Sequence, residues 1–152
     1  MANADIVLVG PGELPLICDM FNQVFRPGRD VSYFERRLRG RHNPTMLLAQ
    51  VDRQPAGFAI GYEIKASTFY CWLLGVLPAY RKAGIASQLV EGMTAWAREH
   101  SYHVLRLESY NRARPMLKIA IRQNFDIVGV RFDTDEAANL IILEQTLSEQ
   151  ES

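Results

Sequence analysis

The residues with chemistry to offer gather in one stretch, Leu73-Leu74-Gly75-Val76-Leu77-Pro78-Ala79-Tyr80-Arg81-Lys82-Ala83-Gly84-Ile85-Ala86-Ser87. An apolar run ends at Pro78, a short basic, glycine-containing loop follows, and an amphipathic helix is expected to begin at about Gly84. The first N–H groups of such a helix have no intrahelical partner and sit at the positive end of its dipole, so a phosphate fits there. Arg81 and Lys82 add positive charge beside the loop, and Gly84 lets a ligand reach the backbone where a side chain would block it. The same spacing also fits an ordinary strand-to-helix connection with a surface Arg and Lys. It is not a Walker A loop, because no Gly-Lys-Ser/Thr follows, and not a G-x-G-x-x-G fingerprint.

Other chemistries find less support. His42, His100 and His103 have no metal-ligand spacing with Cys or carboxylates, so no structural or catalytic metal is expected. Cys18 and Cys71 are the only cysteines and lie in apolar surroundings, which suits buried thiols in a reducing compartment better than a disulfide. The chain of 152 residues is 48% hydrophobic and 22% charged, the composition of one globular domain with a substantial core. That domain is expected over residues 1–147, followed by a polar tail, 148–152. Seventeen Lys and Arg balance seventeen Asp and Glu, which favours neither nucleic acid nor an anionic membrane as a partner. The N-terminus has no basic region followed by an apolar one, and no apolar run reaches the roughly 18 residues a bilayer span requires. A cytoplasmic protein is expected. Charge is nevertheless uneven: Arg26, Arg29, Arg36, Arg37, Arg39 and Arg41 cluster early, and every charge from Asp133 onward is acidic. Two solvated faces account for that distribution.

The elements that must position the loop follow from periodicity. Asp5 to Val9 reads as a first strand, closed by Gly10-Pro11-Gly12, after which Leu14, Ile17, Cys18, Phe21 and Phe25 recur at helical spacing. A second helix starts with Asp30 or Ser32 as N-cap, carries Tyr33, Phe34 and Leu38 as its apolar stripe and ends near Gly40. Strands are expected at Thr45 to Val51, at Gly57 to Lys65 and, after a reversal at Ala66-Ser67, at Thr68 to Leu77. A third helix carries Ile85, Leu89, Met93 and Trp96 on one face, and Val104 to Tyr110 is the next strand. A fourth helix aligns Ala113, Met116, Leu117, Ala120 and Ile121, with Pro115 in its first turn and Asn124 at its exit. Strands at Phe125 to Asp133 and Asn139 to Thr146 follow. The order β-α-α-β-β-β-α-β-α-β-β gives an α/β fold, a mixed sheet with helices on both faces.

In that element order, Val76-x-Pro78-x-x-Arg81-x-x-Gly84-Ile85-Ala86 resembles the signature of the GNAT superfamily of acetyl-CoA-dependent N-acetyltransferases. Arg81-Lys82-Ala83-Gly84-Ile85-Ala86 satisfies the family's R/Q-x-x-G-x-G/A loop. A second patch agrees: Asn111, then a helix, then Asn124-Phe125 where members usually have Gly-Phe. The resemblance covers nearly the whole chain. It implies a single-domain GNAT fold, with a largely antiparallel sheet of about seven strands, about four helices on its two faces and splayed central strands. It also implies acetyl-CoA as cofactor. The pyrophosphate of coenzyme A would lie on the backbone of Arg81, Lys82, Ala83, Gly84, Ile85, Ala86 and Ser87, and its pantetheine arm along Leu74, Gly75 and Val76. Asn111 matches a position that contacts the cofactor arm in many members.

Acetyl transfer from a thioester to an amine needs a deprotonated nucleophile, a donor to the carbonyl oxygen as it becomes an oxyanion, and a proton for the leaving thiolate. A backbone N–H near Leu74 or Val76 can be the donor. The other two roles depart from the family's pattern: Tyr70 stands where many members carry Glu or His, and Ala120 where they often carry a tyrosine that protonates the thiolate. A replacement base follows from strand geometry. A two-residue turn at Ala66-Ser67 pairs Lys65 with Thr68, which sets Glu63 opposite Tyr70 and Gly61 opposite Trp72 and brings Glu63, Tyr70 and Trp72 to one face. Glu63 is then the expected base, and Tyr70 its hydrogen-bond partner or the thiolate's proton donor. Glu108 and Tyr110 are the second choice. The same residues also fit a solvated carboxylate above ordinary core packing. The segment from Arg26 to Arg41 falls where this family borders its acceptor site, which suggests a carboxylate or phosphate on the acceptor.

The expected activity is N-acetyl transfer from acetyl-CoA to an amine of a small molecule or peptide, by direct attack in a ternary complex. The absence of both usual side chains leaves open a different class, a GNAT-fold module that binds acyl-CoA or serves a partner without turnover. The Arg cluster lacks the aromatic and basic interleaving of an RNA-binding surface, so no nucleic-acid partner is expected. A homodimer would fit the family.

Overall fold

Each helix begins and ends where its local chemistry allows. The computed structural model, which describes residues 3–147, has helices α1 (Leu14–Val24), α2 (Val31–Leu38), α3 (Ile85–Glu99) and α4 (Arg114–Arg122). The expected polar tail, 148–152, lies outside the described residues. Of the two N-cap candidates for α2, Asp30 is the cap: its carboxylate accepts from the Ser32 hydroxyl (2.8 Å) and the Tyr33 amide (3.1 Å), and these bonds hold it below the usual carboxylate range. α3 starts after Gly84, whose φ of +84° is a left-handed conformation that glycine adopts without strain. α4 carries Pro115 in its first turn and leaves through Asn124 at φ +71°, with the Phe125 amide returning to the Ala120 carbonyl (3.0 Å).

The strands β1 (Asp5–Val9), β2 (His42–Val51), β3 (Gln54–Lys65), β4 (Thr68–Val76), β5 (Val104–Tyr110), β6 (Asp126–Asp133) and β7 (Ala138–Thr146) form one sheet, ordered β1-β2-β3-β4-β5-β7-β6. All neighbours are antiparallel except β4 and β5. Element order and type follow the sequence reading, and the differences are at strand ends. β2 and β3 start earlier than alternation suggests, because His42 pairs with Glu63 and Val51 with Gln54. Pairing with a neighbour, rather than side-chain alternation, sets where a strand stops. α1 and α2 cover one face over a core that includes Ile17, Phe21, Phe34, Phe58 and Ile60. α3 and α4 cover the other, over Leu89, Met93, Phe69, Leu105 and Leu143. Burial of such side chains, worth roughly 1.5–3 kcal/mol apiece, fixes both layers to the sheet. Ile121 departs from expectation at 54% exposed, since α4 turns Ala120 into the core and Ile121 follows about 100° round the helix.

β4 and β5 pair only from Thr68↔Val104 to Cys71↔Leu107, although β4 runs on to Val76 and β5 to Tyr110. Beyond Cys71, β4 keeps β3 on one side and has no strand on the other, so the central strands splay. Two bulges decide what faces the gap. Trp72 is an extra residue of β4 between the pairs Gly61↔Cys71 and Ile60↔Leu73, and Ile64 is an extra residue of β3 between Glu63↔Phe69 and Lys65↔Thr68. Lys65 does pair with Thr68, as expected, but the Ile64 bulge shifts the rest of the hairpin by one residue, and with a side-chain period of two that exchanges faces. Tyr70 therefore stands opposite Tyr62, while Glu63 stands opposite Phe69 on the other face of the sheet. The expected Glu63–Tyr70 pairing is corrected accordingly.

Candidate active site

The β4–α3 junction is built from exposed backbone. The first intrahelical bond of α3 runs from the Gln88 amide to the Gly84 carbonyl (3.2 Å), and no side chain caps the helix. The amides of Ile85, Ala86 and Ser87 lie ahead of that bond, at the positive end of the helix. Lys82, at φ +65°, and Gly84 turn the chain into the helix, and Arg81 and Lys82 stay exposed. A cavity of about 560 Å³ reaches from this loop along Leu74, Gly75 and Val76 to Pro115 and Met116. A Cβ on Gly75 would come within 2.9 Å of the Phe58 ring and 3.1 Å of the Phe25 ring, so glycine lets these rings pack against β4 here. At the far end of α4, Gln123 donates to the Ser87 carbonyl (2.9 Å) and hydroxyl (2.8 Å) and ties the two helices together at the loop. Ala83 packs against the core beside the loop. Asn111 is exposed past β5, with its amide bonded to the Asn139 carbonyl (2.8 Å), and is not among the residues lining this cavity.

A second cavity, about 660 Å³, opens between α2, the splayed strands and β6. It shares Phe25, Leu74, Ala113 and Met116 with the first, so the two meet in the gap between β4 and β5. Inside it the Tyr70 hydroxyl donates to Glu108 Oε1 (3.0 Å), a carboxylate only 18% exposed, with Arg131 at 3.9 Å. Burial first, and then the neighbouring Glu108 charge, push the Tyr70 phenol well above the usual tyrosine range, so it stays protonated and donating. The Tyr110 hydroxyl donates to Asp133 Oδ2 (2.6 Å), a bond that lifts the tyrosine to about 12 and holds Asp133 below the usual carboxylate range. Cys71 also lines the cleft, and burial pushes its thiol up to about 12, which leaves no thiolate at neutral pH. A third cavity of about 230 Å³ adjoins this one around Arg37, Tyr62, Tyr70, Arg106 and Glu108, with Arg106 paired to Glu144 at 2.8 Å.

The structure thus brings Tyr70 and Trp72 together with Glu108 and Tyr110, the second-choice pair. Glu63 lies elsewhere: it accepts from the Tyr102 hydroxyl (3.0 Å), which in turn accepts from Asn43 (2.6 Å). Of the early arginines, Arg37 lines the cleft, its guanidinium 4.8 Å above the Trp72 ring and its Nε donating to the Tyr62 hydroxyl (3.2 Å). Arg36 is exposed and bonded to Ser32 (3.1 Å). Ala120 is fully buried, and as an alanine it offers no hydroxyl. Sequence reading passed over Phe25, Met116, Arg131 and Asp133 as site residues. They arrive through the end of α1, the first turn of α4 and the β6–β7 pairing, approaches that periodicity does not report. Among the described residues, no group of three or more His, Cys, Asp and Glu side chains could hold a metal ion, and no helix is long and apolar enough to cross a membrane.

Solved structures share this fold. Ribosomal-protein-S18-alanine N-acetyltransferase from Escherichia coli superposes with a TM-score of 0.84 at 16% identity, over 97% of this chain and 96% of that one. Ard1 from Thermoplasma volcanium gives 0.82 at 16% identity, over 96% and 99% of the two chains. YncA from Salmonella typhimurium, solved with its cofactor acetyl-CoA, gives 0.76 at 16% identity, over 99% and 98%. No curated protein matches the chain. The model of the acetyltransferase (GNAT) family matches residues 14–120, a span that runs from α1 through the loop and the splayed strands into α4. By that match, the chain belongs to the GNAT acetyltransferase family.

Proposed function

We propose that the protein is an N-acetyltransferase that moves an acetyl group from acetyl-CoA to an amine of a small molecule or peptide by direct attack in a ternary complex. The observation that carries this reading is the meeting of the two cavities at Phe25, Leu74, Ala113 and Met116, in the gap between β4 and β5. The slot suits coenzyme A: helix-end amides and two cations stand at one end, and the edge of β4 that β5 leaves unpaired beyond Cys71 leads from there to the gap. The backbone of Arg81, Lys82, Ala83, Gly84, Ile85, Ala86 and Ser87 would hold the pyrophosphate, and Leu74, Gly75 and Val76 the arm. Asn111 keeps its place in this set on the family likeness alone. Bound there, acetyl-CoA supplies an acetyl group activated toward amines.

Glu108 takes the proton of the incoming amine, directly or through a water, in place of the Glu63 expected from the sequence. Tyr70 is its positioning residue, since the phenol donates to that carboxylate and fixes its orientation. A phenol held so far above its ordinary range is a poor acid, and a thiol with a pKa of about 8.5 leaves without one. The protonated Cys71 favours direct attack over an acyl-enzyme on that sulfur. Ala120, which has no hydroxyl where many family members carry a tyrosine, supports a second reading, a module that binds acyl-CoA without turnover. Release of free thiol from acetyl-CoA, measured across amines, amino acids, polyamines and peptides, separates the two. Turnover with any acceptor sustains the enzyme, and tight coenzyme binding with no thiol release from any acceptor leaves the module. A cytoplasmic setting and a homodimer belong to the same reading and rest on the family likeness.

A further inference from the structure

Arg37 is the one early arginine held inside the cleft, and its surroundings describe a ligand. It is half-buried, whereas Arg36 and Arg39 on either side are exposed. Stacking over Trp72 at 4.8 Å and the Nε bond to Tyr62 at 3.2 Å fix the guanidinium plane and use one of its five N–H donors. Among the described residues no carboxylate lies within ion-pair distance of it. A partly desolvated cation without a counter-charge is unfavourable until an anion arrives, and a planar fork matches a carboxylate with two parallel bonds.

The cleft is also polarised. Arg37 stands on the α2 side, and Glu108, Asp133 and Asp135 on the side of β5 and the β6–β7 turn. The other cation there, Arg131, is 62% exposed and already faces Glu108 at 3.9 Å. Arg37 and Glu108 both line the small cavity around Tyr70, so a positive and a negative anchor flank the same ring. One unpaired guanidinium balances the single charge of a carboxylate, whereas a phosphate dianion would call for a second free cation.

We propose that the acceptor is a zwitterion, an amine that also carries a carboxylate, with its ammonium at Glu108 and its carboxylate on the Arg37 fork, and that Arg37 is the residue that selects it. This rests on the acetyl-transfer reading of the cleft. The test uses the full chain, thiol release from acetyl-CoA, and acceptor pairs that differ only in the carboxylate. L-methionine against L-methioninamide offers a main-chain carboxylate, and alanyl-aspartate amide against alanyl-asparagine amide an acidic side chain. The wild-type chain is expected to prefer the carboxylate member of at least one pair by tenfold or more in kcat/KM, and the preferred pair names the source. Arg37→Ala should cut that preference at least tenfold, through KM rather than kcat, and Arg37→Lys, which keeps the charge without the fork, should restore part of it. Turnover of the amide member by each variant gauges its folding. An equal loss on both members would mean that Arg37 only packs against Trp72, and it would overturn the proposal, as would a wild-type chain with no preference in either pair. If no acceptor releases thiol, the transfer reading fails, and calorimetry on coenzyme A-saturated protein decides the anion site. Methionine or dipeptide binding that Arg37→Ala abolishes sustains the site, and binding that is absent from the wild type or survives Arg37→Ala overturns it.

Discussion

Glu108 and Tyr70 meet across 38 residues of chain, and the proposed chemistry depends on that one bond. Glu108→Gln is expected to lower kcat on the order of 10²–10⁴-fold, the usual contribution of a general base, and to change the shape of the pH–rate profile. Tyr70→Phe frees the carboxylate without removing it and should cost less, while leaving the alkaline limb unchanged, because the wild-type phenol does not titrate below its raised range. Glu63→Gln, on the opposite face of the sheet, should leave the profile as it was, and a changed profile would return Glu63 to the mechanism. A second prediction concerns Tyr110 and Asp133. The folded pKa of Asp133 is depressed by the Tyr110 bond, so its contribution to stability is present above the unfolded carboxylate range and is lost as pH falls through the folded value. Tyr110 is raised to about 12, so its contribution is full below the unfolded value and is lost as pH rises through about 12. The gap in denaturant midpoint between Tyr110→Phe and the wild type should be widest from roughly pH 5 to 10 and close at both ends; a constant gap would deny the hydroxyl that role.

At the scale of elements, β4 is shared by both cavities, and its side toward β3 is as constrained as its open side. Gly75 lies between the Phe58 and Phe25 rings, where an added Cβ would meet carbon at 2.9 and 3.1 Å. Gly75→Ala should destabilise the fold by about 1–3 kcal/mol, as overpacking does, and raise the KM for acetyl-CoA more than that for the acceptor. An acetyl-CoA KM that did not change would take Leu74, Gly75 and Val76 out of the cofactor slot. The bulges belong to this scale as well. A two-residue turn at 66–67 is legible from sequence, but the extra residue at Ile64 is not, because nothing in the alternation of Tyr62, Glu63, Ile64 and Lys65 marks which one drops out of the ladder. What selects it is tertiary: Phe69 packs against Trp96 and Tyr102 on the α3 side, and Tyr62 packs against Tyr70 and Trp72 on the α2 side.

For the whole molecule, binding in the slot should couple to global stability, since its walls come from α1, β4, α3 and α4 at once. Acetyl-CoA at about 100 times its Kd should add about 2.7 kcal/mol, a rise of roughly 5–10 °C in Tm for a domain of this size, readable by thermal shift. A Tm that did not respond would argue against the slot as the cofactor site. The element order, an N-cap at Asp30 or Ser32, the exit from α4 at Asn124 and the strand-to-helix junction from Arg81 to Ser87 were all legible in the sequence. Each is decided within a few residues, by a hydrogen bond, a φ angle or a helix end that local composition reports. Only the tertiary structure decided which carboxylate faces the gap and which arginine enters it. A strand presents opposite faces at successive residues, so one bulge moves Glu63 away and leaves Glu108, from a strand 38 residues on, to meet Tyr70. Asp133 joins Tyr110, and Arg37 joins Trp72, through the packing of distant elements, and spacing along a chain carries no record of that packing.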